Sequence, residues 1–175
     1  MNSFSRRGKT RELTIFAMLG ALMIVSKILM QAMPNIHLLG LFIAAITLTY
    51  RVRALIPLYV FVFLDGVYFG FTLWWIPYLY VWLPLWMMFM VAGKINIPPK
   101  ARPPIYMILC ALHGLSFGTL YAPAHAILFN LNFAGVMAWI IAGLPFDIAH
   151  AIGNLAAGTM IVPLAALLKR LNTSQ

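Results

Sequence analysis

Among the 175 residues of this chain, three acids, four histidines and a lysine set inside an apolar stretch have the types and positions that suit chemistry. Glu12 opens the first apolar segment, whereas Lys27, Asp65 and Asp147 stand within apolar segments. An ionisable side chain at membrane depth costs about 2.5–3.5 kcal/mol even on the lenient insertion scale, so each needs a partner or a task. Either Lys27 staples two helices by pairing with Asp65 or Asp147, or these residues meet a ligand directly; both readings stay open here. Asp147, His150 and Asn154 fall at i, i+3 and i+7, which puts three polar side chains on one helix face looking into a cavity. His113, Ser116, Tyr121 and His125 form a looser second line, which Pro123 could cut short. A lone buried histidine is ordinarily a packing residue, and His125 and His150 are the pair best placed for function.

Aromatic residues crowd two turns, Trp74, Trp75, Tyr78, Tyr80 and Trp82 at one, and Tyr121, Phe129, Phe133 and Trp139 at the other. Interfacial belts account for single aromatic residues. The density from Trp74 to Trp82 exceeds what a belt requires and suits a ring-shaped organic ligand held by stacking and by the amides of Asn35, Asn130 or Asn132. The candidate ligand-binding set is Asn35, Trp74, Trp75, Tyr78, Tyr121, His125, Asn132, Trp139, Asp147, His150 and Asn154. No GxxxxGK phosphate loop, HExxH, Cys/His cluster or Gly-x-Ser-x-Gly elbow occurs, so neither ATP hydrolysis, a metal centre nor a catalytic dyad is expected. Cys110 is the lone cysteine and reads as a small core residue.

These residues must be positioned by membrane helices. A chain that is 63% hydrophobic and only 9% charged, with a mean hydropathy of +0.94, holds more apolar surface than one small core hides. A multi-pass protein of the cell membrane is expected. The net charge of +9 sits at segment ends, where anionic headgroups attract it, and forms no continuous basic face for nucleic acid. Clusters at Arg6, Arg7, Lys9 and Arg11, at Arg51 and Arg53, at Lys94, Lys100 and Arg102, and at Lys169 and Arg170 alternate with turns free of Lys and Arg. By the positive-inside rule this gives six transmembrane helices in one membrane domain, with both termini cytoplasmic and the bare turns external. The expected spans are 12–32, 36–50, 54–73, 77–93, 103–124 and 136–168, with a loop or surface helix over 129–145 before the last span proper begins near Gly143.

Prolines punctuate the turns, Pro34 among them, and others within the spans predict kinks. The first apolar stretch is span-length and no cleavage site follows it, so it is read as a helix and not as a signal peptide. Small-xxx-small steps at Gly66/Gly70, Gly114/Gly118 and Ala149/Gly153 predict close helix packing. No internal repeat of the kind found in many secondary transporters is visible.

Near the inner end of the first helix stands Ala17-Met-Leu-Gly-Ala21, an AxxxA step. With six helices, a basic start and no ATPase motif, the chain resembles the substrate-binding S component of an energy-coupling factor (ECF) vitamin transporter. The resemblance implies that Ala17 and Ala21 pack against a membrane coupling subunit, that two partner ATPases use the ATP, and that a vitamin-class molecule is captured externally and released by toppling in the bilayer. Members of the family often carry a Gly-Pro turn between helices two and three, where this chain has Tyr50-Arg51-Val52-Arg53. That departure and the Trp-rich third loop lean toward the cobalamin-type member, with another vitamin or precursor as the alternative. A stand-alone proton-coupled transporter relaying through Asp65, Asp147 or His150 is the rival reading; a small enzyme acting on lipid is a third.

Overall fold

A computed structural model describes residues 3–33 and 35–173; Pro34 lies outside the described residues. They form an all-α protein of eight α-helices: α1 (Ser3–Leu29), α2 (Leu39–Tyr50), α3 (Leu55–Phe69), α4 (Leu83–Ala92), α5 (Arg102–Leu115), α6 (Phe117–Leu128), α7 (Phe133–Gly158) and α8 (Ile161–Thr173). Four helical runs, 10–29, 39–69, 99–128 and 133–158, are long and apolar enough to cross a membrane, and Ile76–Ala92 is a shorter apolar one. A multi-pass membrane protein follows. The outward faces agree with it: Leu13, Phe63, Val67, Ile108, Ile141 and Ile152 are all exposed.

The run 39–69 does not continue straight. Arg51 takes a left-handed backbone (φ 58°), and a single 3-10 turn over Arg51–Ala54 leads into α3. Glu12 then pairs with Arg53, a Cβ on Gly20 would touch Pro57 and Val60, and Lys27 meets Asp65, so α3 runs parallel to α1. Phe16 packs edge-on against Tyr50, which places the end of α2 beside the middle of α1. Arg51 holds this corner by donating from Nη2 to the Met90 carbonyl at 2.6 Å, while Trp86 donates to the Arg51 carbonyl at 3.2 Å. Its guanidinium lies over Gly93, where a Cβ would collide with it.

α2 is the core element. Every residue from Leu39 to Thr47 is buried, and α1, α4, α5, α7 and α8 all touch it. A helix covered on all sides carries no charge because none could be solvated or paired there. Around it pack Phe16, Met23, Phe61, Trp82, Leu85, Phe89, Cys110 and Ile161, all at most 1% exposed.

α5 and α6 form one track along α7. Gly118 faces Asp147, Gly114 faces Ala151, and Gly158 faces Met107, so the partners run antiparallel. Of the three small-residue steps, Gly114/Gly118 makes the close helix contact. Gly66 instead admits Phe71 and Trp75, Gly70 (φ 93°) ends α3, and Gly153 meets Ile36 in the α1–α2 loop.

The expected boundaries change in three places. Residues 133–145 are neither loop nor separate surface helix but the first half of one 26-residue α7. Asn132 caps that helix, its Oδ1 accepting from the Gly135 N–H at 2.8 Å, and Pro145 is carried inside it. The fifth segment extends past Pro123 to Leu128 and breaks at Ser116 instead. The last segment bends at Thr159–Met160, where Pro163 lacks the N–H that would bond Thr159.

Candidate functional site

The contacts above collect Glu12, Arg51, Arg53 and the α2–α3 corner at one end of the bundle, and Thr49 beside Ala165 brings the first half of α8 there too. At the opposite end a cavity of about 540 Å³ opens between α1, the α3–α4 loop, α6 and α7. Its α7 wall is Trp139, Ala142, Gly143, Phe146 and Asp147, spaced i, i+3, i+4, i+7 and i+8 on one helix face. α6 contributes Phe117, Gly118 and Tyr121; the α3–α4 loop contributes Thr72, Trp74, Trp75 and Tyr78. Lys27, Asn35, Asp65, Phe69 and Gly70 complete the lining.

The loop owes its shape to one close approach. Trp75 Nε1 donates to the Val62 carbonyl at 2.8 Å, reaching over Gly66, where a Cβ would stand 2.8 Å from that nitrogen. Trp74 offers its carbonyl to the Tyr121 hydroxyl, which ties the loop to α6. His125 lies between two indoles, 4.5 Å from the Trp139 ring and 5.1 Å from the Trp74 ring, and Trp139 stacks on Tyr121 at 6.2 Å. The mouth is therefore rimmed by aromatic faces from three separate elements.

Lys27 sits inside this cage. Its Nζ is 2.5 Å from Asp65 Oδ1, donates to the Tyr78 hydroxyl at 3.2 Å, and lies over the Phe69 and Tyr78 rings at 4.7 and 4.6 Å. Of the two partners the sequence left open, Asp65 is the one taken. Asp147 instead accepts from the Gly118 N–H, at 3.0 Å to Oδ1 and 3.1 Å to Oδ2.

Seven of the candidate residues line the cavity: Asn35, Trp74, Trp75, Tyr78, Tyr121, Trp139 and Asp147. His125 stands behind the rim, and Asn132 is an exposed helix cap away from the lining. His150 lies one turn further along α7, buried against His37 (4.6 Å), Phe117 (4.9 Å) and His113 (6.4 Å). Asn154 is buried deeper and donates to the Cys110 carbonyl at 3.0 Å, joining α7 to α5 against Gly40 of α2. His113 contacts the Val81 carbonyl through Nε2 at 2.8 Å. Among the described residues no group of His, Cys, Asp or Glu is arranged to hold a metal ion. The exposed Ala17 and half-buried Ala21 lie on the outer surface of α1, away from the cavity.

The readings from sequence passed over Phe69, Thr72, Phe117, Ala142, Gly143 and Phe146. The last three share Asp147's helix face, a signal present in the spacing itself. Compared with models of known protein families, with curated proteins and with solved structures, the chain matches none.

Proposed function

We propose that this protein is a membrane solute-binding subunit, the S component of an ECF-type vitamin importer, with six spans, cytoplasmic termini and the cavity on the external side. The observation that carries the reading is the cavity itself: about 540 Å³, walled by eight aromatic residues, with few polar groups converging on it, at the end of the bundle away from the basic corner. Sites of about 300–1,000 Å³ with apolar walls and a few placed polar groups are what drug-sized ligands occupy. Within the vitamin class this volume favours a molecule of one or two ring systems over a corrinoid, most of which would stay outside the mouth. The exposed Ala17 and its neighbour Ala21 offer a smooth strip of α1 for a coupling subunit. With no phosphate-binding loop in the chain, ATP is used by partner ATPases.

The decisive experiment separates binding from transport. The purified chain in detergent is expected to retain a small organic molecule from its host, identified by mass spectrometry, together with a coupling subunit and two ATPases on mild extraction. In proteoliposomes the chain alone is expected to drive no accumulation. Uphill uptake by the isolated chain under a pH gradient would overturn the proposal in favour of a stand-alone transporter.

A further inference from the structure

The charges that face the cavity do not balance. Lys27 and Asp65 neutralise each other at 2.5 Å, and Lys27 is further engaged by Tyr78 and Phe69. Asp147 has no such partner: among the described residues no Lys, Arg or His forms an ion pair with it. Among the described residues the bonds it accepts come from the Gly118 backbone, yet the residue is 5% exposed. Gly118 keeps this arrangement possible, since a Cβ there would sit 2.5 Å from Asp147 Oδ2. The same cavity is lined by aromatic residues, Phe146 and Trp139 on α7 and Phe117 and Tyr121 on α6.

A buried carboxylate without a counter-charge is costly unless something neutralises it. An anionic ligand would be repelled by Asp147 and would find Lys27 already occupied. A neutral ligand would displace water and offer the carboxylate no charged partner. A cation would answer both features, pairing with the carboxylate and lying against rings whose faces attract positive charge.

We propose that the cavity selects organic cations: flat molecules of one or two rings whose protonated or quaternary nitrogen pairs with Asp147 while the ring stacks against Trp139 and Tyr121. This rests on the solute-binding reading above and names the class of solute.

The test is tryptophan fluorescence titration of the purified full chain with three probes, thiamine as a permanent cation, riboflavin as an uncharged ring system and biotin as an anion. Thiamine is expected to bind, and Asp147→Asn, which keeps an acceptor for the Gly118 N–H, is expected to weaken it about 30-fold or more. The variant should melt no lower than the wild type without ligand, because it removes an uncompensated buried charge. Should the variant fail to fold, labelling of Asp147 by a hydrophobic carbodiimide in the wild type is the second readout, with thiamine protecting and riboflavin and biotin not. Tight binding of riboflavin or biotin, equal in wild type and variant and with thiamine excluded, would overturn the inference and leave the solute-binding reading standing. If no probe of any charge and no small molecule from host extract binds, both fall together.

Discussion

Replacing Lys27 by Met tests whether the Lys27–Asp65 pair is a structural necessity of the fold. At 2.5 Å, with an effective dielectric of about 20, the attraction is about 6–7 kcal/mol. Desolvation takes several kcal/mol per ion, so the pair gains little over two apolar side chains. Breaking it is different, because Asp65, with its side chain 5% exposed, is then left buried without its counter-charge. Losses of about 3–5 kcal/mol accompany such breaks. The Lys27 side chain retains 19% exposure, which lets water reach the vacated site, so the lower half of that range, about 3–4 kcal/mol, is expected. For a chain of this size that corresponds to a melting temperature lower by about 6–16 °C. The assay is thermal unfolding in detergent followed by tryptophan fluorescence. The double variant Lys27→Met with Asp65→Leu is expected to return to within about 1 kcal/mol of the parent. A single variant melting within about 3 °C of wild type, or a double variant worse than the single, would refute the reasoning.

Three further outcomes are expected. Asn132→Ala removes the cap of α7 at a cost of about 1 kcal/mol and leaves ligand affinity unchanged, measured by melting and by titration of the same samples. Gly66→Ala drives a methyl against Phe71 and the Trp75 indole, breaking its bond to Val62; a loss of about 1–3 kcal/mol and a red-shifted tryptophan emission are expected. Ala17→Trp or Ala21→Trp places a bulky side chain on the outer strip of α1, so co-purification of a coupling subunit is expected to fail while ligand binding persists. Intact complexes carrying either variant would remove α1 from the proposed contact.

The membrane character of this chain was legible in composition, and its all-helical class in span-length apolar runs without the alternation a barrel needs, because hydrocarbon leaves backbone polar groups no partners outside a helix or a closed barrel. The α7 face was legible as well: Asp147, His150 and Asn154 repeat at helical spacing, and spacing is a property of the chain before it folds. Depth along that face was not. Asp147 reaches the cavity, whereas Asn154 bonds Cys110 and His150 packs against two other histidines, and only the placement of α5 and α2 decides which residue meets open space. Lys27 had two acids within reach of a plausible topology, and the parallel course of α1 and α3 chose Asp65. That course depends on the left-handed reversal at Arg51, a conformation no local propensity predicts for an arginine and which the clasp with Met90 and Gly93 sustains. Asn132, rich in promise as an amide near a ring of aromatic residues, became a helix cap because capping depends on where the next helix begins. Sequence thus determined which side chains share a helix face, through the fixed pitch of the helix. Which of those faces meet, and what charge is left unmatched between them, was decided by tertiary packing, since contacts between distant segments are set by how whole helices fit together.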